Sequence, residues 1–412
     1  MSSVSTLLRA RWVFPIEQPP IENGVVEIVG DSIAAVRSYR VGDPATDLGD
    51  VALLPGLVNA HTHLEFSDLQ QPLGTARMSF PDWIRLVIEY RRRRSTPDSS
   101  APGSHESLDA PPNVSRGLSE SGEAGIALVG EIATYELAVT PPSPPVHQVV
   151  FRELLGLARE RIQSLWQTAL AHIESGPQEH TLGLSPHATY TVHPDLLTQV
   201  CELSHERDFP VAMHVAESLD EIELLQSGSG RLVELLESLD AFPRQVIPRG
   251  TRPLLYLQML SQAARSLVIH GNYLSADEIA YLGERSERMS VVYCPRTHAY
   301  FNAGSYPLAE MLAANVNVCL GTDSRASNPD LSLFEEMRFL AQQHPGITPE
   351  GVLYLGTQAG ANALGLGHRF GSISRGKSAR LAVLRLQTRV ADDPHEALFA
   401  AGTCAIACQA AT

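Results

Sequence analysis

Four histidines and two carboxylates carry the chemistry open to this chain. His61 and His63 stand one residue apart after the apolar run from Leu53 to Ala60. In an extended strand, side chains two apart share a face, so both imidazoles can reach one ion. His214 follows the run Phe209 to Met213, His270 follows Leu267 to Ile269, and Asp323 closes the run from Val316. Neutral imidazoles with one carboxylate suit a borderline divalent ion, Zn²⁺ or Fe²⁺, with a position left open for water. The expected ligands of one such ion per chain are His61, His63, His214 and Asp323. His270 and Glu217, three residues beyond His214, are expected to act beside it, with Asp323 doing double duty.

These residues need a scaffold that brings distant strand ends together. Apolar runs of strand length recur at 53–60, 125–132, 147–153, 181–187, 210–215, 266–271, 289–294 and 316–322, separated by segments with helical periodicity. Eight strands alternating with helices predict an α/β fold, a (β/α)8 TIM barrel whose active site lies at the strand C-terminal ends. A doubly wound sheet is the alternative, but no Gly-x-Gly-x-x-Gly pattern follows any strand. Residues 22–36 read as two short strands around Gly30 and Asp31, and 371–384 repeats that style. The expected division is 1–52 and 366–412 as the two parts of a small composite β-sandwich, with the barrel over 53–365. Within it, 95–116 is rich in Ser, Pro and Gly and reads as a flexible insertion. Pro141 to Pro145 reads as a stiff connector.

Composition narrows the partners. The 412 residues carry a formal charge of −15, which argues against nucleic acid or an anionic membrane, because phosphate neutralisation needs clustered Lys and Arg. The basic run Arg91 to Arg94 reads as a solvated helix face. No apolar stretch reaches transmembrane length and no signal-peptide pattern opens the chain, so a cytoplasmic protein is expected. Five cysteines without framework spacing fit reduced thiols.

Taken together, the stretch Pro55 to His63, His214 to Glu217, His270 with Gly271, and Gly321 to Ser327 resemble the amidohydrolase superfamily, in its nucleobase and nucleoside deaminating branch. The resemblance spans essentially the whole chain and implies the barrel with its composite sandwich. Binuclear members bridge two metals with a carboxylated lysine on a barrel strand. Here Lys377 is the single lysine and lies beyond every barrel strand, so only Glu131 or Glu153 could bridge a second metal. In the implied chemistry Glu217 protonates the ring nitrogen, His270 orients the attacking water, and Asp323 passes a proton to the leaving amine. Ammonia is released.

The residues after His63, Leu64 to Ser67, look like those of aminodeoxyfutalosine deaminases, which favours that nucleoside. S-adenosylhomocysteine, methylthioadenosine and adenosine come next, and another carbon–nitrogen bond or a chlorotriazine is a further alternative. Expected substrate contacts are Glu65 on ribose hydroxyls, Trp83 on an aromatic ring, and His187 on the nucleoside. Arg296, with Arg152 as a second choice, is expected on a substrate carboxylate. The family's usual acidic residue after its Gly-Lys turn is replaced by Arg380, and its last strand is expected to be missing after Phe399. A homodimer is common among relatives.

Overall fold

The computed structural model describes residues 5–95, 113–135, 146–175, 180–243, 245–387 and 393–409. Most of the 95–116 segment and the Pro141–Pro145 connector lie outside them. Eight strands form one parallel sheet in sequence order: Leu57–Thr62, Ile126–Ala133, His147–Leu154, Thr181–Pro186, Pro210–Val215, Arg265–His270, Met289–Tyr293 and Asn317–Leu320. They are numbered here as barrel strands one to eight. Every adjacent pair between one and eight is parallel, and helices lie between successive strands except between strands two and three, where residues 136–145 are not described.

Among the described residues no regular ladder joins strands eight and one; one backbone hydrogen bond, from the Asp323 N–H to the His61 carbonyl, and several side chains bridge the seam. Asn59 Nδ2 donates to Thr322 Oγ1 at 2.8 Å while its Oδ1 accepts from the Thr322 N–H at 3.0 Å, and Thr62 Oγ1 donates to the Asp323 carbonyl. At Gly321 a Cβ would stand 2.9 Å from both Cβ and the carbonyl oxygen of His61. Only a residue without a side chain permits that approach. Inside the barrel Val149, Phe151, Leu267, Ile269, Val292 and Cys319 pack with Ala359, Ala361 and Ala363 of helix Gln358–Ala363. That helix meets the starts of strands six and eight through Arg265 and Asn317. The centre is therefore packed at the bottom and open only at the strand C-terminal ends.

The second sheet draws on both ends of the chain, in the order Cys404–Gln409, Leu381–Arg385, Val51–Pro55, Ser5–Val13, Ile21–Val29 and Ser32–Ser38, with Thr46–Asp47 alongside Ser5–Val13. Two expectations change here. The run 53–60 is not one strand: it divides at Gly56, with Val51–Pro55 in the small sheet and Leu57–Thr62 in the barrel. A side chain at Gly56 would overlap Ala127. The last strand expected to be missing is present as Cys404–Gln409, antiparallel to Leu381–Arg385. Among the described residues no helix is long and apolar enough to cross a membrane.

Candidate metal centre and cavity

The ladder between strands one and two is irregular from Asn59 to Thr62, and there the chain brings His61 and His63 together, ring centroids 4.8 Å apart. The His214 ring lies 5.1 Å from that of His61 and 5.4 Å from that of His63. Asp323 Oδ1 stands 3.6 Å from His61 Nε2 and 3.8 Å from His63 Nε2. Ligand atoms of His61, His63 and Asp323 lie within 4.8 Å of one another, as do those of His61, His214 and His270.

The donor set fits a metal ion. Both ring nitrogens of His61 and Nδ1 of His63 are buried without a hydrogen-bond partner among the described residues, an arrangement that costs free energy unless something else engages them. Burial pushes the imidazoles of His63, His214 and His270 well below their usual range, which keeps them in the neutral form that ligates metals. His214 Nδ1 donates to the His187 carbonyl at 2.8 Å, leaving Nε2 for the centre. Burial works against ionisation of Asp323, but the close approach of His61 and the electrostatic attraction of His61, His270 and His63 outweigh it and hold the carboxyl low.

Backbone strain accompanies these placements. Ala216, His270 and Asp323, at the ends of strands five, six and eight, all adopt left-handed conformations, with φ of 54°, 69° and 56°. Such positions cost about 1–3 kcal/mol each and persist only where the surroundings enforce them. Here they turn each strand sharply at the mouth.

Glu217 sits in that mouth with Oε1 3.4 Å from His270 Nε2. Burial first, then the nearby Asp323 and Glu221 carboxylates, push its carboxyl well above the usual range. Its backbone is pinned by Glu221, whose oxygens accept the Ala216 N–H at 2.9 Å and the Glu217 N–H at 2.8 Å, and by Asn272, which donates to its carbonyl. Glu221 belongs to a Ser218-x-x-Glu221 helix start in which Ser218 accepts the Glu221 N–H. That signature was readable in the sequence, although the carboxylate serves the Glu217 turn rather than the cap.

A cavity of about 440 Å³ opens outward from His63, His214, Glu217, His270 and Asp323. One wall is helix Phe80–Ser95, with Trp83, Ile84, Val87 and Ile88; the facing wall is helix Arg231–Ser238, with Leu232, Leu235 and Leu236. Arg161 and Asp240 also border it. Neither has a local sequence signal, since only the loops between strands bring them to the opening.

The expected substrate contacts divide. Trp83 and His187 border the cavity; Trp83 also stacks on Phe80, and its Nε1 donates to the Ala326 carbonyl. Burial, with Arg91 and His61 nearby, brings the His187 imidazole down to about 3. Glu65 is buried and gripped by Arg91, whose NH2 is 2.6 Å from Oε1. Arg91 therefore corrects the expectation of a solvated basic face: it turns inward from the helix, borders the cavity and lies 3.9 Å from Glu153. Arg296 stands apart from the cavity. Its guanidinium is held by Glu336 at 2.7 Å and Asp330 at 2.7 Å and does not border the cavity. Arg152 donates to the Tyr135 carbonyl and is likewise outside it. Glu131 accepts the Leu64 N–H and the Tyr135 hydroxyl, so its oxygens are engaged without a second metal.

A nearly closed parallel barrel with imidazoles and carboxylates gathered at its strand C-termini defines a barrel hydrolase. The amidohydrolase family pattern matches residues 159–406, and the chain belongs to that family. It is 27% identical over 400 residues to the 5-methylthioadenosine/S-adenosylhomocysteine deaminase of Moorella thermoacetica, covering 92% of this chain and 86% of that one. It is also 27% identical over 362 residues to the aminodeoxyfutalosine deaminase of Deinococcus radiodurans, covering 83% and 81%. The fold matches the crystal structure of Helicobacter pylori aminofutalosine deaminase in complex with methylthio-coformycin, with a TM-score of 0.78 at 22% identity and 95% of each chain covered.

Proposed function

We propose that this chain hydrolytically removes the exocyclic amine of a 6-aminopurine nucleoside, using one divalent transition metal, Zn²⁺ or Fe²⁺, held by His61, His63, His214 and Asp323. The observation that carries the reading is Glu217: a carboxyl kept protonatable by burial, 3.4 Å from His270 Nε2, at the inner end of a cavity sized for a small molecule. When bound, the metal lowers the pKa of a coordinated water toward neutrality.

Glu217 gives its proton to the ring nitrogen beside the carbon under attack. An aromatic amidine resists addition until that nitrogen takes up the developing charge. His270 orients the water by hydrogen bonding through Nε2, and Asp323 accepts the proton that the water loses. The same proton then passes from Asp323 to the amine, which leaves as ammonia, while the hydroxyl on the ring carbon returns its remaining proton to Glu217 and becomes the carbonyl.

Among such nucleosides, aminodeoxyfutalosine is favoured. The two aliphatic walls and Trp83 suit an aromatic extension on the 5′ side of the ribose. Arg161 borders the cavity, where Arg296 and Arg152 do not, and it takes over the role of contact for a carboxylate. The reading places the protein in the cytoplasm, in keeping with the free thiols of Cys201, Cys294 and Cys319. Ammonia release from metal-loaded protein, measured on aminodeoxyfutalosine, S-adenosylhomocysteine and methylthioadenosine, tests the function. Turnover of none of the three overturns it.

A further inference from the structure

Asp240 stands against two local preferences. Helix Arg231–Ser238 ends through Leu239, and Asp240 follows in the left-handed conformation with φ 54°, while the Ala241 N–H bonds back to the Leu236 carbonyl. Gly or Asn usually fills this position, and a carboxylate at a helix C-terminus faces the negative end of the dipole. The Asp240 side chain is exposed, and among the described residues no hydrogen bond or ion pair engages it. It nevertheless borders the cavity at the end of an otherwise aliphatic wall. Arg161 borders the same cavity, and no acid among the described residues pairs with it.

Resting on the nucleoside deaminase reading, we propose that Asp240 is a specificity-determining residue that sorts nucleosides by the charge of the 5′ substituent, drawing in a cationic group such as an ammonium and disfavouring a lone anion. Away from the metal centre and the Arg91–Glu65 pair, Asp240 and Arg161 give the cavity one further charge of each sign. A tail bearing both an ammonium and a carboxylate finds a partner for each. A tail bearing only a carboxylate has Arg161 in its favour and Asp240 against it, and a neutral tail is indifferent to both. Asp240 lies outside the reacting centre, so its effect falls on KM and leaves kcat unchanged.

The test compares wild type with Asp240→Asn, metal-loaded, on three adenine nucleosides: S-adenosylhomocysteine with its amino-acid tail, aminodeoxyfutalosine with its benzoate, and methylthioadenosine with its neutral thioether. Asparagine suits the left-handed position, so the substitution preserves the turn. The expected result is kcat/KM lowered about 3- to 5-fold for the amino-acid tail, raised by a similar factor for the benzoate, and unchanged for the thioether, the range of an exposed charge pair. The differences fade at high salt. Equal changes across the three substrates, or none, overturn the proposal while wild-type turnover keeps the deaminase reading intact. Wild-type inactivity on all three instead removes the reading beneath it.

Discussion

Asp323 is joined to His61 twice: its backbone N–H donates to the His61 carbonyl at 3.1 Å, and its Oδ1 lies 3.6 Å from His61 Nε2. The seam that closes the barrel between its last and first strands is thus also where the candidate ligands meet.

Replacing Asp323 with Asn removes a proposed ligand and the proposed proton acceptor together. Activity is expected to fall at least about 10²–10³-fold, and metal content to fall with it. Full metal occupancy in the variant, measured by elemental analysis, would take Asp323 out of the ligand set.

Glu217→Gln separates the proton donor from the metal. Deamination should drop about 10²–10⁴-fold, with metal content unchanged. Loss of metal from this variant would instead make Glu217 a ligand.

Wild-type protein should hold about one divalent ion per chain. Lys377, the single lysine, donates to Gln358 Oε1 at 2.8 Å and lies 3.3 Å from Glu17, away from the barrel mouth. A chelator should remove activity, and stoichiometric Zn²⁺ or Fe²⁺ should restore it. A clean value of two ions per chain would show that another residue bridges.

Arg296→Met should destabilise the fold by about 3–5 kcal/mol, because it leaves Glu336 buried without its charge partner. Its KM for carboxylate-bearing nucleosides should match wild type. A large rise in KM without loss of stability would return Arg296 to substrate binding.

His147 provides a pH dependence remote from the metal. Burial first, then Arg369, Arg380 and His180, bring its imidazole down to about 4. Above about pH 6.5 the ring is neutral in both folded and unfolded chains and has no effect. As pH falls from there toward 4, the unfolded chain takes up a proton that the folded chain refuses. Stability is lost over that window, by at most about 3 kcal/mol. Chemical denaturation of His147→Gln should show a shallower loss than wild type between pH 6.5 and 4; parallel curves would assign the slope elsewhere.

The sequence by itself determined the barrel, because each strand is an apolar run of the right length, and strand period and helix period differ enough to be read locally. It also marked His61, His63, His214, Glu217, His270 and Asp323, because each follows directly on such a run. What it did not determine is how charged residues far apart in the chain pair with one another. Arg296 has a local setting suited to a substrate carboxylate, yet Glu336, forty residues on, neutralises it. Arg91 sits in a run that looks solvated, yet Glu65 draws it inward. A guanidinium is satisfied by whichever carboxylate the fold places beside it. Only the tertiary structure decided which charges border the cavity: Arg91 paired with Glu65, and Arg161 and Asp240 at its opening.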